Sequence, residues 1–520
     1  MARDAHIEVS TGRGRVIGRM EPIDRSWAGH DAQVAVFRGI PFAKPPFGAL
    51  RFAAPEPPEA WHGARPATRF GPPVPQHDRM NPAGPAADTA GPAPDCLTVN
   101  VWSPDPGAAG LPVMVWFQGG AYVFGHAGDP VYDAARLAAA GVVAVTFNYR
   151  VGMEGFGYIA GAPANRGLLD QLAALRWVQQ NIAAFGGDPA RVTVFGESAG
   201  AGSIAALLAT DAASGLLRRA VVQSVPGLYF TPGLAADVAA AVAGRLGLAA
   251  TADALRAVDP GELVRAGEAV FAARDEHADR WGAVAHAETV FAPVVDGAAP
   301  ARSPWDAVGS GAARGIEMML GWNRDEYRLF MARRGELGRV DAGRAAWALE
   351  LFGAAAGGER GYRGAYPGLG AEELYEQVCS DWMCRMPTLA LLEAHTAAGG
   401  RAFAYELRWP APAFGGRLGA CHGLDVPLVF GTLDAPLARQ MLGPGPAPDA
   451  AELSRRMRSA WVRFAATGDP GWPAYGTDGR RTRVFDRSDT LSGDPLRPSR
   501  ELWKGPGFHL LGLDSAGAVQ

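Results

Sequence analysis

One stretch decides the fold: Val192-Thr193-Val194-Phe195-Gly196-Glu197-Ser198-Ala199-Gly200. It combines a buried strand, a Gly-x-Ser-x-Gly motif and small residues that can begin a helix. The chain has 68 glycines, so the bare motif also fits a glycine-rich turn with an incidental serine, and its strand-to-helix context carries the prediction. On such a turn the two glycines remove Cβ atoms that would clash. We expect Ser198 to present its hydroxyl above a sheet as a nucleophile, with a helix start behind it that favours an oxyanion.

The rest of the chain predicts an α/β fold. Short β-branched runs alternate with helical patterns, as in a large, mostly parallel central sheet flanked by helices. Strands are predicted at 97–102, 112–117, 142–147, 192–195, 220–223, 317–320 and 402–407. A helix is predicted over 168–185, and the Ala-rich stretch 234–276 predicts several short helices inserted as a cap over the sheet edge. A prior of ~150 residues per domain suggests three domains, but the pattern favours a single domain over 1–520.

Composition excludes several classes of protein. Lys and Arg number 49 and Asp and Glu 53, a net charge of −4, without the basic surplus that nucleic acid binding requires. The chain is 48% hydrophobic and 20% charged, as in a globular protein with a large core. No run approaches the ~18 apolar residues of a membrane helix, and the N-terminus turns polar where a signal peptide would be apolar. These features predict a cytoplasmic protein.

The cysteines predict neither a disulfide framework nor a metal site. Four cysteines are too few and too scattered for a chain of this length, so free thiols are expected. Cys379 and Cys384 lie five apart, but no second Cys or His pair completes a tetrahedral zinc site.

A serine nucleophile requires an imidazole that takes its proton. Where a serine occupies such a turn, the chain order is Ser, acid, His, which leaves five candidates: His277, His286, His395, His422 and His509. His395 lies near the end of a helical pattern, where a positive side chain suits the helix dipole. His422 lies in a loop after the strand 402–407, at the sheet edge where a base belongs, and is the first choice.

The acid of the triad is expected between Ser198 and His422 in the chain, in a turn that follows a strand. The segment 317–326 ends in Asn323-Arg324-Asp325-Glu326, which offers two adjacent carboxylates in a turn. From the residues alone, Asp325 and Glu326 are equal candidates.

The sequence resembles the type-B carboxylesterase family, the α/β-hydrolases that include carboxylesterases, para-nitrobenzyl esterases and cholinesterases. Besides the serine motif, the resemblance rests on Phe-Arg-Gly-Ile-Pro-Phe-Ala at 37–43, Leu-Arg-Phe at 50–52, Asp-Cys-Leu-Thr-Val-Asn-Val-Trp at 95–102, Asn-Arg-Gly-Leu-Leu-Asp-Gln at 165–171, Phe-Gly-Gly-Asp-Pro at 185–189 and Phe-Ala-Pro-Val-Val-Asp-Gly at 291–297. It implies the α/β-hydrolase fold and a serine carboxylesterase that acts through an acyl-enzyme without metal or organic cofactor. It also implies Glu326 as the acid and His422 as the base, with Asp325 as the runner-up.

The resemblance further implies an oxyanion hole and a gorge wall. The hole is expected from the backbone N–H groups of Gly120, Ala121 and Ala199. The substrate-binding wall is expected to include Tyr122, Phe124, Tyr229, Phe230 and Trp322, with Glu197 influencing the field at the nucleophile and Ser224 available for a supporting hydrogen bond. No cysteine precedes Cys96, so the disulfide of secreted relatives is absent, which supports an intracellular enzyme and a looser lid at 81–94.

Two alternatives remain at this point. Adhesion proteins with this fold have lost the nucleophile and act as binding modules. Within enzymes, a specialised hydrolase of one ester, carbamate or amide is the alternative to a broad carboxylesterase. The expected partner is a small-molecule ester, the expected state is a monomer or homodimer, and activity is expected to fall at acidic pH near the ordinary histidine pKa of about 6 to 7.

Overall fold

A computed structural model describes residues 6–24, 32–79, 95–353, 358–445, 447–504 and 507–513. Its thirteen described strands are β1 His6–Thr11, β2 Gly14–Ile23, β3 Ala32–Pro41, β4 Ala64–Pro66, β5 Thr98–Ser103, β6 Leu111–Phe117, β7 Val143–Phe147, β8 Gly187–Glu197, β9 Arg219–Gln223, β10 Glu317–Asn323, β11 Ala402–Leu407, β12 Arg481–Phe485 and β13 Thr490–Gly493. They form one sheet in the order β1-β2-β3-β5-β7-β6-β8-β9-β10-β11-β12-β13, and β4 pairs with β2. The proposed lid at 81–94 lies outside the described residues.

The middle of the sheet, from β7 through β12, is parallel, and antiparallel pairs flank it on both sides. Its strands are apolar on both faces because helices cover both faces. On β6, Val113 and Val115 pack into one core, whereas Met114 and Trp116 pack into a second core across the sheet. All four side chains are buried.

Helices pack against both faces of the sheet. Their bounds are α1 Ala135–Ala139, α2 Gly152–Phe156, α3 Arg166–Asn181, α4 Ala199–Leu208, α5 Pro232–Gly244, α6 Ala252–Leu255, α7 Pro260–Ala272, α8 Ala278–Trp281, α9 Pro304–Gly309, α10 Arg328–Arg333, α11 Ala342–Phe352, α12 Gly358–Ala365, α13 Ala371–Ser380, α14 Met386–Ala397, α15 Asp425–Phe430, α16 Pro436–Leu442, α17 Pro448–Thr467 and α18 Arg497–Leu502. A π-helical turn, Asp381–Arg385, joins α13 to α14. Within the described ranges no helix combines the length and apolarity needed to cross a bilayer.

All seven predicted strands are present, and six agree with their predicted starts within one residue. The exception is β8, which begins at Gly187, five residues before the predicted start. The predicted helix over 168–185 is α3 followed by a 3-10 turn, Ile182–Phe185. The predicted short helices of 234–276 are α5, α6 and α7.

His395 lies in the last turn of α14, as predicted. It is fully buried, and burial lowers its pKa. All four cysteines are free, as predicted, and all four are buried.

Candidate active site

Ser198 occupies the turn between β8 and α4 with φ +55° and ψ −124°, a strained conformation for a residue with a side chain. Two glycines permit the turn. A Cβ on Gly196 would lie 2.8 Å from the Phe117 carbonyl oxygen, and one on Gly200 would lie 2.0 Å from the same atom. The Ser198 N–H donates to the Gln223 carbonyl at 3.0 Å, which fixes the turn to the neighbouring strand β9.

Glu326 and His422 are brought together from the ends of two further parallel strands. His422 Nδ1 lies 2.7 Å from Glu326 Oε2, and the His422 backbone N–H donates to the Glu326 carbonyl at 3.2 Å. The other carboxylate oxygen of Glu326 accepts from the Asn323 N–H at 2.8 Å and from Ser224 Oγ at 2.5 Å. Glu326 is completely buried, so these hydrogen bonds hold its carboxylate in one orientation.

Asp325, the other carboxylate in this turn, faces away from the imidazole. It accepts from the Ala420 N–H at 2.8 Å and pairs with Arg324 at 2.9 Å and Arg328 at 3.6 Å. Asp325 therefore fixes the loop that precedes His422, whereas Glu326 contacts the ring.

Two more ionisable groups contact His422. Its Nε2 lies 3.0 Å from Glu197 Oε1, at an angle that does not make a hydrogen bond, and the Cys384 thiol is within hydrogen-bonding reach of the ring. Burial raises the pKa of Glu197 to about 8, although His422 acts against this shift. Burial by itself would lower the pKa of His422, but Glu197, Cys384 and Glu326 together hold this pKa well above its usual value.

Ser198 and His422 line one cavity of about 360 Å³ at the carboxyl edge of the sheet. Among the hydrogen bonds of the described residues, none joins the two side chains. In ligand-free serine enzymes this contact is often long and tightens when substrate binds.

The turn after β6 places backbone donors on the same cavity. Gly120 has φ +114°, Ala121 φ +54° and Tyr122 φ +61°, and Gly120 and Ala121 line the cavity together with Ala199. Within the described residues, no carbonyl or side chain accepts from the N–H of Gly120, Ala121 or Ala199. These three donors are therefore available to a ligand.

The cavity wall includes some of the predicted residues and not others. Tyr122, Phe124 and Glu197 line it. Tyr229, Phe230 and Trp322 are buried core residues outside it, which corrects the prediction for these three. Tyr229 donates its hydroxyl to the Gly202 carbonyl at 2.7 Å, Phe230 forms backbone bridges to Val294 and Leu511, and Trp322 lies on β10.

Sequence reasoning missed several residues of the wall. These are Cys384, Glu288, Phe330 and four arginines, Arg79, Arg274, Arg333 and Arg334. The available signal in the sequence was the pair Arg333-Arg334, two adjacent cations at the end of the helix that follows the predicted acid. The ligand atoms of Glu326, Cys384 and His422 lie within 4.8 Å of one another, but the hydrogen bond between Glu326 and His422 uses one atom of each, so we assign no metal there.

The serine lies on a strand-to-helix turn, and an acid and a histidine follow later parallel strands. This architecture defines a hydrolase of the α/β-hydrolase fold. Comparison with known proteins makes the assignment specific. The model of the carboxylesterase family matches residues 3–343 and 370–485. The chain belongs to this family, the type-B carboxylesterases, and it is a carboxylic ester hydrolase.

Individual relatives cover almost the whole chain. The chain is 35% identical to the para-nitrobenzyl esterase of Bacillus subtilis over 509 residues, which are 95% of this chain and 98% of that protein. It is 35% identical to the fumonisin B1 esterase of Sphingopyxis macrogoltabida over 495 residues, 91% of this chain and 87% of that protein. The crystal structure of the Geobacillus stearothermophilus carboxylesterase at pH 6.2 has a TM-score of 0.80 at 33% identity and covers 96% of this chain and 100% of its own.

Proposed function

We propose that this esterase hydrolyses small carboxylic esters through an acyl-enzyme formed on Ser198, with His422 as the general base and Glu326 as the acid that orients it. The observation that carries the proposal is the buried hydrogen-bond chain from Ser224 and Asn323 through Glu326 to His422, which ends on the cavity that Ser198 lines.

The proposed mechanism follows from these groups. His422 Nε2 takes the proton of Ser198 as Oγ attacks the ester carbonyl, and the Glu326 carboxylate orients the ring and stabilises its charge. His422 then returns the proton to the departing alcohol. Water, activated by the same imidazole, attacks the acyl-enzyme and releases the carboxylic acid. No step requires a metal or an organic cofactor.

The developing oxyanion is assigned to the backbone N–H groups of Gly120, Ala121 and Ala199. Their lack of other acceptors among the described residues supports this role, because a preorganised donor stabilises the transition state without reorganisation. One such donor contributes about 3 to 4 kcal/mol.

The wall favours esters with apolar parts. Besides Tyr122 and Phe124, its large apolar members include Leu228, Leu329, Phe330, Trp382, Leu437 and Met441. A cavity of about 360 Å³ is in the range of sites for small molecules. The experiment that tests the function is hydrolysis of p-nitrophenyl esters of short and medium acyl chains by the wild type beside Ser198→Ala.

The pH dependence of the reaction should reveal the contact between Glu197 and His422. A neutral imidazole is needed as base, and the pKa of His422 is raised, so activity should rise with pH through a midpoint above about 6.5 rather than near the ordinary value. Glu197→Gln removes a carboxylate that favours the charged ring, so the midpoint should move to lower pH and activity should persist further into acid.

The measurement is kcat/KM against pH for both enzymes. Glu268→Gln, which removes a carboxylate paired with Arg79 at 2.9 Å, is the matched control and should leave the midpoint in place. Identical profiles for wild type and Glu197→Gln would contradict the assigned contact.

Several expectations stay predictions. They are the single domain with a cap, the monomeric or homodimeric state, the cytoplasmic location, the absence of nucleic acid binding, and the alternative of a carbamate or amide as the physiological substrate.

A further inference from the structure

The charges on the cavity wall are unusual for a site that takes only neutral esters. Four arginines and two glutamates line the cavity, Arg79, Arg274, Arg333, Arg334, Glu197 and Glu288. The arginines outnumber the glutamates by four to two. The wall therefore carries an excess of positive charge.

The cationic part of the wall lies close to the proposed base. The Phe330 ring is 5.3 Å from the His422 ring between centroids. Arg333 and Arg334 follow Phe330 by three and four residues at the end of α10, so they lie on the same side of the helix, about 5 to 6 Å further along its axis. Both arginines line the same cavity as Ser198.

Two of these four arginines have acidic partners. Arg79 forms a paired contact with Glu268 at 2.9 Å, and Arg334 contacts Glu288 at 2.6 Å. A recess of about 410 Å³ shares Arg274 and Arg334 with the main cavity. The other charged groups of this recess also have local contacts: Arg344 lies 3.4 Å from Glu336, and Asp275 lies 3.4 Å from His286.

Arg274 differs from its neighbours. Its guanidinium lies 4.2 Å from the centroid of the Phe271 ring, and Nη1 donates to the Phe271 carbonyl at 2.7 Å. Its Nε is buried without a hydrogen-bond partner, and none of the ion pairs between described residues includes it. Burial, and then the charge of Arg334, lower the pKa of Arg274. A carboxylate in the cavity would pair with this guanidinium and offset the repulsion between the two arginines.

We propose that Arg274, together with Arg334, which lines the same cavity and recess, forms an anion subsite that holds a carboxylate of the substrate. The preferred substrates are then esters that carry a second, ionised carboxyl group near the scissile bond, such as half-esters of dicarboxylic acids. This inference rests on the proposed function, because it assumes that the scissile carbonyl is held at Ser198.

The test compares matched neutral and anionic esters. Methyl valerate and monomethyl glutarate differ by a methyl group in place of a carboxylate on the acyl side. 4-Acetoxybenzoate carries the same charge on the alcohol side, and phenyl acetate is its neutral counterpart. For each pair, the ratio of kcat/KM for the anionic ester to that for the neutral ester is measured with wild type, Arg274→Gln and Arg274→Lys.

We expect Arg274→Gln to lower this ratio about tenfold for at least one pair, the loss of one charge-assisted hydrogen bond. We expect the neutral esters to lose less turnover than the anionic esters, and Arg274→Lys to keep part of the preference, because the charge remains while the planar fork is lost. Arg245→Gln is the matched control, because Arg245 is an exposed arginine of the cap that pairs only loosely with Glu276 at 3.7 Å.

The outcomes separate the two proposals. If the wild type hydrolyses no neutral ester, the proposed function fails. If the neutral esters are hydrolysed and Arg274→Gln leaves both ratios at the wild-type value, the subsite is overturned. Should Arg274→Gln fold poorly, added salt tests the same point on the wild type: the ratio should fall by about twofold or more between about 0.02 and 0.5 M NaCl, and a constant ratio would overturn the subsite.

Discussion

Ser198→Ala is expected to lower kcat for p-nitrophenyl esters by about 10⁶-fold, with a much smaller change in KM. The variant loses the atom proposed to form the acyl-enzyme but keeps the cavity and the backbone donors at Gly120, Ala121 and Ala199, which have no other acceptor among the described residues. A residual rate about 10³-fold above that of water should therefore remain. The measurement is steady-state release of p-nitrophenol, corrected for spontaneous hydrolysis.

A second serine provides the matched control. Ser203 lies on the same helix, is fully buried, and accepts a hydrogen bond from Gln171 Nε2 at 3.0 Å. Ser203→Ala should stay within a few-fold of the wild type in kcat. If Ser198→Ala kept activity within about tenfold of the wild type, a different nucleophile would have to carry the reaction.

Glu326→Gln should lower kcat by about 10⁴-fold, the loss seen when the acid of such a triad becomes an amide. The structure gives the reason. Oε1 accepts from the Asn323 N–H and from Ser224 Oγ, so the amide oxygen of the variant should take that place. Its NH₂ group would then face His422 Nδ1 and donate to it, which leaves the proton on Nε2, the atom that must accept from Ser198.

Asp325→Asn is the control for this substitution. Asp325 accepts from the Ala420 N–H and pairs with Arg324 and Arg328, none of which contacts the proposed reacting atoms. Its loss should lower the thermal midpoint, because a buried carboxylate loses its charge pairs with two partly exposed arginines, while kcat stays within about tenfold of the wild type. If Asp325→Asn lowered kcat more than Glu326→Gln does, Asp325 would be the acid of the triad.

The sequence predicts the centre of this fold well and its edges poorly. The central strands are continuous apolar runs because both faces are buried, and the turn at Ser198 has a local signature in its two glycines. Strands β1 and β2 at one edge mix charged with apolar residues; Gly14–Ile23, for example, contains two arginines and a glutamate, and its residues range from buried to exposed. Without a continuous apolar run, they gave no strand prediction.

The choice of acid shows a second limit. Asp325 and Glu326 are neighbours in one turn. Which carboxylate meets the imidazole depends on two hydrogen bonds from other parts of the chain: Ser224 Oγ donates to Glu326, and the Ala420 N–H donates to Asp325. Only the family resemblance indicated Glu326. No local pattern contains that information.

The aromatic wall and the arginine subsite depend on contacts between distant segments. Phe230 lies seven residues after the end of β9, and its bridges to Val294 and Leu511 draw it into the core. Trp322 points into one face of the sheet because of its position on β10. Arg79, Arg274 and Arg334 come from three separate parts of the chain. Their meeting on one cavity cannot be deduced from spacing.

The most direct test of the central claim is covalent labelling with diethyl p-nitrophenyl phosphate, followed by peptide mass mapping. We predict loss of esterase activity in proportion to labelling, with one diethylphosphoryl group per chain on the peptide that contains Ser198. We also predict that Ser198→Ala remains unlabelled and that Glu326→Gln reacts far more slowly. A label on another residue that abolishes activity, or full activity after Ser198 is labelled, would contradict the account.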